Sequence, residues 1–177
     1  PVSLSLSDTN IARAEQMCLK TNQFNLRTKR YTASELLNLH KENNDYVFLV
    51  RLSDVYGDHG IVALVCLRYL AEDIVFLDTF LMSCRVLGRH LEAWILDQII
   101  KRALRNRNRY ILTDFIDTGR NKIAREFLTT YGFECLENNK KVIPKILTAC
   151  SELKGERYFI PTKNIEIPNL EIYKRSK

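Results

Sequence analysis

The chain has 177 residues, 46% hydrophobic and 27% charged, the proportions of one soluble globular domain. Its longest apolar runs, such as Ile61–Leu67, fall far short of the roughly 20 residues a membrane-spanning helix needs. Five cysteines (Cys18, Cys66, Cys84, Cys135, Cys150), an odd number with no C-x-x-C spacing, exclude a disulfide framework and a zinc site. They read as free thiols of a reducing, cytoplasmic compartment. The first thirty residues, with Asp8, Arg13, Glu15 and Lys20, do not read as a signal peptide. A net charge of +6 points to an anionic partner.

In chain order, Asp8 to Lys20 predicts a helix with Ile11, Ala14, Met17 and Cys18 on one face. Residues 1–23 are expected to be a linker helix ahead of a domain spanning 24–177. Gln23 to Tyr31 alternates loosely, as a first strand would. Thr32-Ala-Ser-Glu35 is a capping box opening a helix that stops at Asn43-Asn44. Tyr46–Leu52, Ile61–Tyr69 and Ile74–Met82 read as three strands of an antiparallel meander, turning at Gly57–Gly60 and Ala71–Asp73.

The period then changes. Leu91, Trp94, Ile95, Gln98, Ile99 and Arg102 mark one face of a helix from Gly88 to Arg107. Tyr110–Thr113 is a short strand. Arg120–Tyr131 is a second amphipathic helix, with Ile123, Ala124, Phe127, Leu128 and Tyr131 inward, ended by Gly132. Phe133–Leu136 and Arg157–Ile160 read as strands, Asn138–Lys141 as a turn, and Val142–Leu153 as either helix or strand. Asn164–Lys177 has no clear pattern. This order is α/β with a mixed sheet.

The join between the strand Ile74–Met82 and the long helix carries Arg85-x-x-Gly88. A helix N-terminus there presents unpaired amides suited to a phosphate or pyrophosphate, with Arg85 and Arg89 adding charge. The competing reading is a tight turn with two surface arginines. A later helix reads Asn121-x-x-Ala124-x-x-Phe127-Leu128-x-x-Tyr131-Gly132-Phe133. Together these motifs resemble the GNAT superfamily of acyl-CoA-dependent N-acyltransferases, over roughly Phe24 to Phe133. The resemblance implies a GNAT fold: α/β, with a mixed, mostly antiparallel sheet flanked by helices.

A more specific likeness lies in Lys20 to Thr32, in Val50-Arg-Leu-x-Asp54-x-x-Gly57-Asp58-x-Gly60, and in Leu77 to Arg89. These runs resemble the C-terminal region of FkbH-like proteins, in which a GNAT-like domain follows a phosphatase/transferase domain of haloacid-dehalogenase subfamily IIIC. That family implies work on acyl or glyceryl groups held as thioesters on a carrier protein, in polyketide, nonribosomal peptide or surface-polysaccharide biosynthesis. The aspartate motifs of the phosphatase-type domain have no counterpart here, since Asp114-x-x-Asp117 follows a late strand. The chain is thus expected to be the acyltransferase-like domain alone, with the catalytic domain upstream in a longer protein.

What the resemblance implies for the site is an acyl-CoA such as acetyl-CoA, or a carrier's phosphopantetheine, and no metal. Backbone groups of Leu81, Met82, Ser83 and Cys84 would hold the pantetheine arm. Arg85, Val86, Leu87, Gly88, Arg89 and His90 would hold the pyrophosphate. Asn121, with Ala124 and Phe127 on its helix, would fix the thioester end. Two positions depart from the pattern. His90 stands where the loop usually has Gly or Ala, and Leu128 stands where many GNAT enzymes carry a tyrosine that protonates the leaving thiolate. Tyr131, one turn on, either substitutes for it or packs in the core. Asp78 is a candidate base or a hydrogen-bonded strand aspartate. Cys84 is a candidate nucleophile or a buried, inert thiol. His59 reads as a surface residue of a hairpin turn.

Three functional classes follow. The first is an acyltransferase moving an acyl group from a CoA or carrier thioester to an amine or hydroxyl. The second is a degenerate GNAT fold that docks an acidic acyl carrier protein through the basic helix residues Lys101, Arg102, Arg105, Arg107 and Arg109. The third, nucleic-acid binding through the same cluster, has no supporting motif.

Overall fold

A computed structural model describes residues 1–138, 153–163 and 165–173. In chain order these form β1 (Val2–Ser5), α1 (Ile11–Lys20), β2 (Phe24–Asn25), α2 (Ala33–Glu42), β3 (Val47–Asp54), β4 (Gly57–Ala71) and β5 (Ile74–Met82). Then follow α3 (Leu91–Arg105), β6 (Tyr110–Phe115), α4 (Lys122–Thr130), β7 (Glu134–Cys135) and β8 (Glu156–Pro161). One sheet runs in the order β1-β3-β4-β5-β6-β8-β7, with β2 paired to β5 off this path. All its pairings are antiparallel except β5 with β6, which the crossover helix α3 joins in parallel.

The apolar run Ile74–Met82 becomes the central strand because both its faces are covered; all nine of its residues are buried. On one face Leu91, Ile95, Ile99 and Ala103 of α3, with Ala124, Phe127 and Leu128 of α4, pack against Val50, Val65, Leu77 and Phe80. On the other face Ala14, Met17 and Cys18 of α1 and Leu36 of α2 pack against Val47, Leu49, Leu64, Cys66 and Leu81. The Thr32–Glu35 capping box forms as read, the hydroxyl of Thr32 accepting from the Glu35 amide and the Glu35 carboxylate accepting from the Thr32 amide.

Several expectations are corrected. Residues 1–23 are not a helix standing ahead of the domain. Val2–Ser5 pair with Phe48–Arg51 of β3, and α1 buries its apolar face in the second core. Gly57–Gly60 is not the hairpin turn but the start of β4; the turn is Val55-Tyr56, and register shifts near Arg51 and Ser53 absorb the extra residues. The strand expected over Gln23–Tyr31 shrinks to Phe24–Asn25. Helix α3 starts at Leu91 rather than Gly88, preceded by a 3-10 turn at Cys84–Val86. Ile123, expected inward, is 40% exposed. The expected turn at 138–141 and helix or strand at 142–153 lie, for 139–152, outside the described residues. In the unplaced tail, Leu170–Tyr173 forms a 3-10 turn whose Tyr173 hydroxyl donates to the Arg89 carbonyl at 2.7 Å.

Gly155 runs against the end of β6 so closely that a Cβ there would overlap the Phe115 carbonyl. Since that neighbour is backbone, Gly155→Ala should lower stability by about 1–3 kcal/mol in urea unfolding.

Candidate functional site

Strands β5 and β6 pair only at Ile74–Phe76 with Tyr110–Leu112, and then splay apart. The chain fills the gap with its own residues 24–27. Phe24 and Asn25 pair with Met82 and Leu81 on the open edge of β5. The Leu26 carbonyl accepts the Ile116 amide at 3.0 Å, tying the segment to the end of β6. Phe24 lies in an aromatic cluster, its ring centroid 4.8 Å from Phe80 and 5.6 Å from Phe127. Arg27 then inserts between the strands. One nitrogen meets Asp78 at 2.5 Å and another meets Asp114, both carboxylates being wholly buried. A buried carboxylate without a cation is costly, so Arg27 neutralises what the splay would otherwise strand.

Asp78 is fully engaged. The Tyr31 hydroxyl donates to it at 2.5 Å and the Thr79 hydroxyl at 3.2 Å, while Lys29 and Arg68 lie at 3.7 and 3.6 Å. Burial, and then the facing carboxylate, push the Tyr31 hydroxyl well above the usual phenol range. The carboxyl group of Asp78 is thus held by partners within the chain on both oxygens.

Asn121 is equally committed. Its amide donates to the carbonyls of Asn25 and Ile116, both at 2.9 Å, and its oxygen accepts from the Thr118 amide and hydroxyl. Ala124 and Phe127 are buried in the core beside it. The groove expected to take a pantetheine arm along Leu81–Ser83, Asn121, Ala124 and Phe127 is thus closed by β2, and the Ser83 amide donates to Val62.

Tyr131 packs against Phe127 with centroids 5.2 Å apart, and its hydroxyl faces Glu92 at 3.4 Å. Burial and then that carboxylate raise its pKa. This is the core reading of Tyr131, with its polar end in the first turn of α3.

The expected phosphate loop keeps its shape but changes its partners. Gly88 has φ +76°, and His90 caps α3 at φ 55°, a left-handed conformation that glycine adopts freely and histidine tolerates. Val86 is buried and Leu87 packs against the main core. Arg89 turns to Asp54 at 2.5 Å, sharing that carboxylate with His59 at 2.9 Å. The Tyr56 amide first, then His59 and Arg89, hold Asp54 below the usual carboxylate range. His59 is a hydrogen-bonded anchor of the hairpin, partly buried against Asp54.

Two members of the motif stay open. Arg85 donates only to the Ser83 hydroxyl at 3.3 Å, and the Cys84 thiol is exposed, not buried as the inert reading required. Both line a cavity of about 520 Å3 between the end of β5 and α1, along with Arg13, Lys20, Gln23 and Ser83. Sequence reasoning missed Arg13 and Lys20. Their only signal is that they fall off the apolar face of α1, which the linker assignment had set apart.

The basic run expected to dock a carrier is largely neutralised. Lys101 pairs with Asp97 at 2.6 Å, Arg105 with Asp45 at 2.8 Å, and Arg109 meets Asp73 at 3.9 Å. Arg102 lies over the Phe48 ring at 3.8 Å and donates to Ser3. Among the described residues no helix is long and apolar enough to cross a membrane. Also among them, no group of three or more His, Cys, Asp or Glu side chains is placed to hold a metal.

The sheet with one parallel pair that splays beyond it decides the architecture. The fold is that of the GNAT acetyltransferases. An acetyltransferase of the GNAT family from Staphylococcus aureus superposes with TM-score 0.65 at 14% identity, over 92% of this chain and 99% of its own. Rv2747 of Mycobacterium tuberculosis, solved in complex with CoA, gives TM-score 0.64 at 13% identity, over 91% and 99%. Ard1 of Thermoplasma volcanium gives 0.65 at 11%, over 90% and 96%. No protein-family model matches the sequence, and no curated protein matches it. In this GNAT fold the space between the splayed strands holds β2.

Removing the cation that bridges the splay takes from buried Asp114 its ion pair and leaves buried Asp78 with only the more distant Lys29 and Arg68. Arg27→Met should lower stability by about 3–5 kcal/mol in urea unfolding, with Arg27→Lys recovering part of the loss.

Proposed function

We propose that this chain transfers acyl groups from a thioester, of CoA or of carrier-held phosphopantetheine, to an amine or hydroxyl, and that the group passes through Cys84. The observation that carries this reading is the exposed Cys84 thiol in a cation-lined cavity at the end of β5, beside a splay that the chain itself closes. The GNAT architecture supports acyl transfer as the chemistry. The likeness to FkbH-like proteins supports a carrier-borne thioester and a phosphatase-type domain working upstream.

In the first step the Cys84 thiol gives its proton to water and its sulfur attacks the thioester carbonyl carbon. The bond to the pantetheine sulfur breaks, and that thiolate takes up a proton. Arg85 and Arg13 face the oxyanion formed between the two events. In the second step the acceptor nitrogen or oxygen attacks acyl-Cys84 and loses its proton to water, and the cysteine sulfur departs. No redox change occurs, and the two thioesters are close in energy, so positioning supplies most of the catalysis. An acidic carrier protein would meet the cations of this rim, since the run Lys101–Arg109 is largely ion-paired within the chain.

A second reading, a carrier-docking module without chemistry, is favoured by the closed groove and by Leu128 at the usual tyrosine position. Mass spectrometry separates the two. Incubation with acetyl-CoA or an acylated carrier protein, followed by an acid quench, should yield one acyl adduct on Cys84. Hydroxylamine should remove it, and Cys84→Ala should lack it. A chain that binds the carrier but never carries an adduct is the docking module. Product without an adduct means transfer that bypasses Cys84.

A further inference from the structure

Several arginines of this protein find a carboxylate, Arg27, Arg51, Arg89, Arg105, Arg125 and Arg157 among them. The cavity between α1 and the end of β5 is different. Among the described residues Arg13, Lys20 and Arg85 line it, and no aspartate or glutamate does. Arg13 instead donates to the Gln16 side chain and, at 3.3 and 3.4 Å, to the carbonyl of Ile61. Burial, and then the charge of Arg85, lower the pKa of the Arg13 guanidinium, as expected for two cations with no anion between them.

Beside the apolar Met17 and Met82, the wall carries further polar groups. Gln16, Thr21, Asn22, Gln23 and Ser83 supply amides and hydroxyls. The C-terminal end of α1, whose carbonyls would repel an anion, is shielded from the rim. Arg30 caps the carbonyls of Cys18 and Leu19. A cavity with three positive charges, neutral donors and a capped helix end suits a doubly charged oxyanion, and its volume leaves room for an organic group attached to one.

We infer that Arg13, Lys20 and Arg85 form a binding site for a phosphate monoester, in which α1 supplies two of the three cations. The site is distinct from the loop at Gly88–His90, where Arg89 is committed to Asp54. Three sources carry that chemistry: the 3′-phosphate of CoA, the phosphate of free 4′-phosphopantetheine, and a phosphorylated acyl group. The inference does not need Cys84 to carry an acyl group, so the two proposals fail separately.

Calorimetric titration of the full chain with inorganic phosphate tests it. Binding should weaken at least tenfold in Arg13→Gln and in Arg85→Gln and about threefold in Lys20→Gln, and it should persist in Cys84→Ala. Lys20 is exposed, and among the described residues its side chain makes no hydrogen bond or ion pair, so its variant answers for the site even if Arg13→Gln fails to fold. Comparing CoA with dephospho-CoA, and 4′-phosphopantetheine with pantetheine, identifies the source. Each phosphorylated form should bind at least tenfold better if its phosphate is the one held. Absence of phosphate binding at millimolar concentration overturns the inference, as does binding unchanged in Lys20→Gln and Arg85→Gln. Phosphate binding with no adduct on Cys84 would instead leave this site standing and remove the cysteine route.

Discussion

Arg27 lies where two parallel strands part, one nitrogen on Asp78 and another on Asp114. Parallel strands that splay expose main-chain edges and, here, two carboxylates in the middle of a buried sheet. Neither can be left dry and unpaired at tolerable cost. The segment Phe24–Arg27 meets both needs at once: its backbone continues the edge of β5, and its guanidinium neutralises the acids. Everything around it is arranged to hold it there. Phe24 is locked among Phe80 and Phe127, the Asn25 and Leu26 carbonyls are held by Asn121 and Ile116, and Tyr31 completes the shell of Asp78.

That closure has a consequence for chemistry. The β2 segment lies along the strand edge that the motif resemblance assigned to a donor's pantetheine arm. The features left open lie one step further along the chain, where β5 ends and Ser83, Cys84 and Arg85 meet α1. A thiol, three cations and neutral donors share that one cavity. The proposed cysteine route and the phosphate site both follow from this relocation; they share Arg13 and Arg85, and only the first needs Cys84.

Much of the architecture was legible because it follows from periodicity. The meander, the crossover helix α3 and the amphipathic α4 sit within a few residues of where the apolar spacing puts them. The motif Asn121-x-x-Ala124-x-x-Phe127 led to the right fold, while the side chain of Asn121 makes its hydrogen bonds within the chain. Nothing local distinguishes an asparagine that grips a ligand from one that grips its own backbone. The plug was illegible for a similar reason. Two residues of strand followed by Leu26 and Arg27 carry no period, and the acids that Arg27 bridges are 51 and 87 residues away. The pairing of the basic run at 101–109 was illegible too, since the partners Asp45 of Arg105 and Asp73 of Arg109 come from other elements.

The central claim is that residues 24–27 are a permanent part of the sheet and not a gate. Hydrogen exchange followed by mass spectrometry, with and without saturating acyl-CoA, tests it most directly. The account predicts that peptides covering Phe24–Arg27 and Leu81–Met82 exchange slowly and equally in both conditions, at the rate of global unfolding. Faster exchange at Phe24–Arg27 when the thioester binds would mean that the donor displaces β2 and enters the splay, and would contradict the account.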